Sequence, residues 1–224
     1  MISLPQNLRA VIFDLDGTLV DTADEFVPEV QTLRAEHGRE AMDPQRIRAS
    51  VSNGARALVS LGLGIDEQAP EFESKRLRLL ELYSEVLGSI ARPYPGIEEL
   101  LLELQRRGIG WGISTNKPRA YTEPLLAQLD LQPQPGSVVC PDDVTDRKPH
   151  PESLYRNCRD LNCSPHEAIY VGDHLRDIEA GRRAGMYTIA AAYGYIEPGD
   201  NPRSWGADAH AGSSTELLDL VLGQ

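Results

Sequence analysis

The stretch Ala10-Val-Ile-Phe-Asp-Leu-Asp-Gly-Thr-Leu-Val-Asp21 joins a short apolar run to two carboxylates. The run from Ala10 to Phe13 contains β-branched and aromatic residues, which predicts a buried strand of a parallel sheet. Asp14 and Asp16 lie two residues apart, so their side chains share a face if the chain stays extended. Open α/β sheets bind ligands at the carboxyl ends of their strands, which makes this pair a candidate site. The alternative is an ordinary polar turn, because Asp and Gly are common turn residues.

The composition is typical of a globular protein with one good core and a smaller accessory unit. The chain has 224 residues, of which 41% are hydrophobic and 25% charged. Its net charge of −12 argues against nucleic acid or an anionic membrane as a partner. A small anionic substrate remains compatible, because a few local cations and a metal can dominate a site.

Nothing in the sequence predicts export or membrane insertion. The segment 1–7 lacks the basic start and apolar core of a secretory signal, and no apolar run approaches the roughly 18 residues of a spanning helix. Cys140, Cys158 and Cys163 are few and odd in number, and their spacing does not resemble a zinc site. We therefore expect buried free thiols in a reducing cytoplasm.

Residues 21–92 show helical periodicity and no strand-like run. Asp43 and Pro44 form a favourable helix start, with an N-cap followed by proline at the first helical position. Pro28 is expected to break or kink the first helix. A stiff linker, Arg92-Pro-Tyr-Pro-Gly96, ends the segment. We interpret 21–92 as a small all-helical unit inserted after the first strand.

The rest of the chain alternates between strands and helices, which predicts βαβ units, a mostly parallel sheet and helices on both faces. The expected fold is α/β, with a Rossmann-like doubly wound core formed by residues 1–20 and 93–224 and a helical cap formed by 21–92. The predicted strands after the first are 109–115, 137–140, 168–171 and 187–192, and the predicted helices are 97–107, 119–129, 151–162, 175–184 and one near 214–222.

Four polar clusters each come just after a predicted strand. Because these positions converge on one edge of a doubly wound sheet, we expect them to form one site. The clusters are Asp14 with Asp16, Ser114-Thr-Asn-Lys117, Lys148-Pro149 and Gly172-Asp-His-Leu-Arg-Asp177.

The carboxylates of these clusters favour a metal site. Asp14, Asp16, Asp173 and Asp177 would concentrate negative charge, and like charges raise one another's pKa unless a cation compensates. Hard oxygen ligands with open positions suit Mg²⁺, which also binds substrate phosphate.

The same edge offers the groups that phosphoryl transfer requires. A carboxylate can attack phosphorus and form an aspartyl-phosphate, and a neighbouring carboxyl can protonate the leaving oxygen and then activate water. Thr115 can hydrogen-bond phosphoryl oxygens, and Lys148 supplies a fixed positive charge where negative charge builds up.

Taken in order, the four clusters resemble the four motifs of the haloacid dehalogenase-like (HAD) hydrolase superfamily. They span the predicted sheet domain, and the helical segment matches that family's mobile cap. The motifs stand here as Asp14-Leu-Asp-Gly-Thr18, Ser114-Thr-Asn116, Lys148-Pro149 and Gly172-Asp-x-x-x-Asp177.

This resemblance implies a role for each matching residue. Asp14 would be the nucleophile and a metal ligand, and Asp16 the general acid/base, which also binds metal through its main-chain carbonyl. Thr115 would contact phosphate, as would its neighbour Asn116. Lys148 would be the balancing cation.

The resemblance further implies that Asp173 ligates Mg²⁺ and that Asp177 is a metal ligand or lies just behind one. Within the superfamily the chain is similar to the phosphoglycolate phosphatase-like group, and the finer match is to phosphatases that act on N-acetylmuramic acid 6-phosphate in cell-wall recycling. The segments that carry the finer match are 52–57, 115–118, 140–143, 193–195 and 205–208.

Five residues keep two interpretations each. Lys117 is expected to be a phosphate-proximal or surface cation rather than a catalytic one, and His174 to line the mouth of the site. Arg56 is either a substrate-facing cation of the cap or a solvated charge. Tyr195 and Trp205 belong either to the core or to the mouth.

The leading functional hypothesis is a Mg²⁺-dependent hydrolase of a small phosphomonoester, acting as a monomer or homodimer. The sequence leaves N-acetylmuramate 6-phosphate and phosphoglycolate open as substrates. A sugar-phosphate mutase on the same scaffold is one alternative. A non-catalytic phosphate-binding protein is the other, although every catalytic side chain of the motifs is present.

Overall fold

Six parallel strands form the main sheet of the protein, for which a computed structural model describes residues 3–223. The strand order is β5-β4-β1-β6-β7-β8, so β1 is central and the chain winds away from it in both directions. This arrangement places the topological switch point at the carboxyl end of β1. The strands of these residues are β1 (Ala10–Phe13), β2 (Val20–Asp21), β3 (Arg92–Pro93), β4 (Gly110–Ser114), β5 (Ser137–Val139), β6 (Ala168–Gly172), β7 (Tyr187–Ala191) and β8 (Ala209–Ala211).

Helices cover both faces of the sheet, as the alternating pattern predicts. The side chains of β1 alternate between the two layers: Val11 and Phe13 join one apolar cluster, whereas Ala10 and Ile12 join another. Helices α5, α6 and α9 contribute to the first cluster, and α7 and α8 to the second. The α-helices of residues 3–223 are α1 (Ala23–Glu36), α2 (Pro44–Ala49), α3 (Gly54–Leu63), α4 (Phe72–Val86), α5 (Ile97–Arg106), α6 (Arg119–Leu129), α7 (Glu152–Asp160), α8 (Leu175–Ala184) and α9 (Leu217–Leu222).

Helices α1 to α4 have an apolar cluster of their own, to which the sheet region adds Tyr195. At the base of these helices, β2 pairs antiparallel with β3, which brings the two connecting segments side by side. Both observations support our proposal that residues 21–92 form a separate unit, called the helical insert below. The predicted start of α2 is confirmed, since the Asp43 carboxylate accepts a hydrogen bond from the Gln45 amide at 3.0 Å.

Three local predictions differ from the structure. Of the break or kink expected at Pro28, the break does not occur: helix α1 continues through Pro28, because the packing of its apolar face into the insert outweighs one missing hydrogen bond. Strands β2, β3 and β8 were not predicted; they have two or three residues each, too few to show a periodicity. All three cysteines are free, but Cys163 is only half-buried, since it follows the end of α7 at the protein surface. None of the helices in residues 3–223 is long and apolar enough to cross a membrane.

Glu25 ties the start of α1 to the segment that leaves the insert. Its carboxylate is buried and accepts hydrogen bonds from the amides of Gly88, Ile90 and Ala91 at 2.9–3.1 Å. A charged acceptor makes such bonds strong, and its removal leaves buried donors without a partner.

We expect Glu25→Ala to lower the free energy of unfolding by about 3 kcal/mol, because three charge-assisted bonds disappear together. Urea unfolding followed by circular dichroism measures the change. Glu29→Ala, on the same helix, is the matched control and should cost less than about 0.5 kcal/mol. Equal losses in the two variants would show that the Glu25 bonds contribute nothing specific.

Candidate active site

The carboxyl end of β1 carries a buried cluster of charged side chains. Lys148 Nζ lies 2.8 Å from Asp14 Oδ1 and 2.7 Å from Asp177 Oδ1. The same ammonium donates to the carbonyl of Ser114 at 2.8 Å and to the hydroxyl of Tyr170 at 2.9 Å. Lys148 therefore joins the ends of β1 and β4 and the middle of β6 to the first turn of α8.

Asp173 completes this cluster from the end of β6. Carboxylate oxygens of Asp14, Asp173 and Asp177 lie within 4.8 Å of one another, and all three residues are buried. Asp173 Oδ2 accepts hydrogen bonds from the amide of Tyr195 and the hydroxyl of Ser52, each at 2.9 Å. The structure thus brings together four residues that the sequence placed after three different strands.

Burial and mutual repulsion shape the protonation of these carboxyls. Burial raises the pKa of Asp14 to about 6, with Lys148 opposing and Asp177 reinforcing the shift. Burial, followed by the charges of Asp14 and Asp177, raises the pKa of Asp173 well above its usual value. Asp177 differs, because Lys148 and Arg176 outweigh the effect of burial and hold its pKa below the usual value.

The donor set of this cluster fits a divalent cation. Three carboxylates face one ammonium, and three negative charges less one positive charge leave an excess of two. Such an excess in a buried site disfavours ionisation unless another cation is bound. The oxygens are hard ligands of the kind that Mg²⁺ prefers.

Asp16 lies outside that cluster and has different partners. Its Oδ1 accepts a hydrogen bond from the hydroxyl of Thr22 at 2.6 Å and another from Lys117 Nζ at 3.0 Å. Asp16 is partly exposed, whereas Lys117 is buried. The two carboxylates of the first motif therefore have different counter-ions, since Asp14 pairs with Lys148 and Asp16 pairs with Lys117.

Gly17 allows the chain to fold back beside Asp173. Its φ of +83° is in the region that favours glycine, and a Cβ atom there would lie 2.1 Å from Asp173 Oδ2. The glycine of the first motif is thus required by close approach to a site carboxylate as well as by the turn.

A pocket of about 470 Å³ opens between the sheet edge and the helical insert. On the sheet side it is lined by Asp14, Asp16, Thr115 and Asn116, so four predicted site residues share one cavity. The insert contributes both cationic and apolar side chains to the opposite wall. The cations that line the pocket are Arg56, Arg76, Lys117, Arg147 and Arg176, and the apolar and aromatic residues are Phe26, Val51, Ala55, Leu77, Leu80, Tyr83 and Tyr121.

Arg56 lines this pocket but already has a partner. Its guanidinium lies 2.8 Å from Glu67 Oε2 and 5.1 Å from the centroid of the Phe72 ring. The side chain is about half exposed, so a ligand could compete with Glu67 for it.

The structure also shows where Tyr195, Trp205 and His174 lie, for which the sequence left two interpretations. Tyr195 is buried against the insert, and its hydroxyl accepts hydrogen bonds from the amides of Thr22 and Ala23. Trp205 is buried in a small cluster behind α8, which excludes a place at the mouth. His174 caps α8 by accepting a hydrogen bond from the Arg176 amide, and burial lowers its pKa to about 4.

The expectation that Lys117 is a surface cation is wrong, whereas its expected place near the phosphate stays a prediction, since Lys117 lines the same pocket as Asp14 and Thr115. Lys117 is buried, and its ammonium pairs with Asp16 and donates to the hydroxyl of Tyr83 at 2.8 Å. Sequence reasoning missed Tyr83 and Tyr170 as partners of the two site lysines, because both look like ordinary core aromatics. In the sequence, only the position of Lys117 directly after Thr115 and Asn116 indicated that this lysine lies near the site.

The sheet order, the acidic cluster at its switch point and the helical insert above it define an α/β protein with a buried, oxygen-rich site. The chain belongs to the haloacid dehalogenase-like hydrolase family, whose model matches residues 11–191.

Relatives similar over nearly the whole chain are named phosphatases. An N-acetylmuramic acid 6-phosphate phosphatase from Pseudomonas aeruginosa is 45% identical over 214 residues, covering 96% of this chain and 95% of the relative. A phosphoglycolate phosphatase from Xanthomonas campestris is 36% identical over 200 residues, covering 89% of this chain and 90% of the relative.

The crystal structure of a predicted phosphoglycolate phosphatase from Haemophilus somnus superposes with a TM-score of 0.84. It covers 96% of this chain and 98% of its own, at 22% identity. This similarity confirms the predicted fold, an α/β parallel sheet with added helices.

Proposed function

We propose that the protein is a Mg²⁺-dependent phosphatase that hydrolyses a small anionic phosphomonoester through a phosphorylated Asp14. The observation that carries this proposal is the placement of Asp14 beside the Lys148 ammonium, at 2.8 Å, in the wall of the pocket that Asp16 also lines. The family membership and the named phosphatase relatives support it.

In the first step, an oxygen of the Asp14 carboxylate forms a bond to phosphorus while the ester P–O bond breaks. The Asp16 carboxyl donates its proton to the departing oxygen, which leaves as an alcohol. In the second step, Asp16 takes a proton from water as the water oxygen attacks phosphorus. The bond between phosphorus and Asp14 then breaks, which releases phosphate and restores both carboxyl groups.

Lys148 and Thr115 assist these steps by interacting with Asp14 and with the phosphoryl group. Lys148 keeps its charge because the Asp14 and Asp177 carboxylates raise its pKa above the usual value despite the opposing effect of burial. A fixed cation beside Asp14 stabilises negative charge on the transferring group. Thr115 and Asn116 line the same pocket and supply hydrogen-bonding groups for phosphoryl oxygens.

Asp14, Asp173 and Asp177 would hold the Mg²⁺ ion, together with the main-chain carbonyl of Asp16 that the family resemblance assigns. When bound, Mg²⁺ neutralises the charge of the phosphoryl group and of the carboxylates around it.

We propose N-acetylmuramate 6-phosphate as the substrate in preference to phosphoglycolate. The relative with the higher identity carries the former name, 45% against 36%. The apolar side chains of Leu77 and Leu80 in the pocket wall also provide a surface for a leaving group larger than glycolate. Under this proposal the enzyme acts in cell-wall recycling, and the free thiols support a reducing cytoplasm as its location.

A phosphate-release screen across metabolite phosphomonoesters, with Mg²⁺ present, tests the proposal. We expect the highest kcat/KM for phosphate release from N-acetylmuramate 6-phosphate. A chelator should abolish activity and added Mg²⁺ should restore it. Ca²⁺ should restore activity poorly, because it prefers more ligands at longer distances. A mutase would instead regenerate a bisphosphate without net phosphate release. Undiminished activity after exhaustive chelation would contradict the metal assignment.

We expect Arg56→Ala to raise KM about tenfold or more for a carboxylate-bearing substrate, consistent with roughly 1.5–3 kcal/mol for a charge-assisted hydrogen bond. Hydrolysis of a small phosphomonoester whose leaving group carries no charge should change little, because it needs only the site at the sheet edge. Arg78→Ala is the matched control, because Arg78 is also an ion-paired arginine of the insert and pairs with Glu36 and Glu81. If Arg56→Ala affects both substrates equally, or neither, Arg56 is not a specificity residue.

A further inference from the structure

Lys117 forms one of the polar connections between the sheet edge and the helical insert. It lies in the loop between β4 and α6, and its side chain is only 7% exposed. Its ammonium contacts Asp16 on the sheet side and the Tyr83 hydroxyl on α4 of the insert. The ammonium also lies 4.7 Å from the ring centroid of Tyr83 and 5.3 Å from that of Phe26.

The two rings form a fixed wall for this ammonium. Phe26 and Tyr83 stack with centroids 3.9 Å apart and belong to different helices of the insert. Their faces attract a cation. If the insert moved away from the sheet edge, Lys117 would lose the hydroxyl and both rings at once, while its bond to Asp16 would have no support on the insert side.

The contacts of Asp16 show what such support does. Thr22, at the start of the insert, and Lys117, on the sheet domain, both donate to Oδ1. Two donors on one oxygen fix the rotation of the carboxyl group and direct the other oxygen, Oδ2, away from them. Thr22 belongs to the insert itself, and Lys117 is held in place by its contacts with the insert.

Stability alone is a poor explanation for Lys117. A buried ion pair is often no more stabilising than apolar residues of similar size, because both charges lose their hydration. A methionine would pack against Phe26 and Tyr83 without that cost. The charge of Lys117 therefore points to a role at Asp16.

We propose that Lys117 is a positioning residue that orients the Asp16 carboxyl for proton transfer only when the insert lies over the sheet edge. This inference rests on the proposed function, in which Asp16 is the general acid/base. It makes protonation of the leaving group depend on closure of the insert over a bound substrate.

The test compares leaving groups in the first turnover. An alkyl phosphate needs a proton on its departing oxygen, whereas p-nitrophenyl phosphate releases a stable phenolate without one. We expect Lys117→Met to slow release of the alkyl leaving group about 100-fold and that of p-nitrophenolate less than about threefold, since general acid catalysis contributes at least that much. Tyr83→Phe, which removes one hydroxyl, should slow only the alkyl ester, by about fivefold.

Lys75→Met, which removes another lysine of the insert, is the matched control and should leave both rates unchanged. Equal slowing of the two esters by Lys117→Met and by Tyr83→Phe would overturn the proposal, because a structural defect does not depend on the leaving group. Unchanged rates for both variants would overturn it as well. If Lys117→Met does not fold, Tyr83→Phe decides alone. If the unmodified enzyme cleaves neither ester, the proposed function itself is wrong.

Discussion

Asp14→Asn is expected to reduce kcat by four orders of magnitude or more while the protein stays folded. The amide cannot form the acyl-phosphate bond, and loss of a nucleophile typically removes most of the rate enhancement, on the order of 10⁴-fold or greater. Steady-state phosphate release with intact-mass verification measures the effect, because hydrolysis of the new amide would restore Asp14.

The same substitution should not lower stability. Burial raises the pKa of Asp14 to about 6, above its ordinary value, so keeping this carboxylate ionised at neutral pH costs folding free energy. A neutral amide avoids that cost, and we expect Tm to stay constant or rise. Asp66→Asn, at an exposed site of the insert, is the matched control for activity. Full activity of verified Asp14→Asn would exclude Asp14 as the nucleophile.

Lys148→Met should lower both stability and activity, and its effect on stability should be the larger of the two substitutions. It leaves the buried carboxylates of Asp14 and Asp177 without their shared cation, which typically costs about 3–5 kcal/mol when one partner of a buried ion pair is removed. Activity should fall by about 10³-fold or more, because a preorganised charge at the transferring group disappears.

The loss of stability in Lys148→Met should depend on pH. Without the ammonium, the folded-state pKa of Asp14 rises further and that of Asp177 rises from its lowered position, so the variant loses stability as pH increases through the folded pKa values. Urea unfolding in a chelator should therefore show a smaller difference from the wild type at pH 5 than at pH 8. For Lys75→Met, the difference in stability from the wild type should be the same at pH 5 and pH 8. A pH-independent loss would indicate a packing defect instead.

The sequence predicted the sheet domain well because its features are local and repeated. Each buried strand is a short apolar run, and four of the five predicted strands are followed by a polar cluster. The convergence of Asp14, Lys148, Asp173 and Asp177 then follows from the topology of a parallel sheet. The helices of the insert could be predicted for the same reason, because their apolar residues recur with the period of a helix.

The contacts between the insert and the sheet edge could not be predicted. Tyr83 occupies a position that its helix would bury in any case, and only the docking of α4 brings its hydroxyl to Lys117. The break that Pro28 suggested in α1 does not occur, because tertiary packing outweighs one lost hydrogen bond. The partners of Arg56 likewise depend on how the loop that holds Glu67 folds back.

The central claim is that hydrolysis proceeds by two displacements at phosphorus, the first by Asp14 and the second by water. The stereochemical course at phosphorus tests it directly, with a phosphorothioate ester that carries two oxygen isotopes and is hydrolysed in water of the third isotope, so that the released thiophosphate is chiral. Each in-line displacement inverts the configuration, so the account predicts overall retention in the released thiophosphate. Net inversion would mean that water attacks the substrate in a single step, and it would contradict the account.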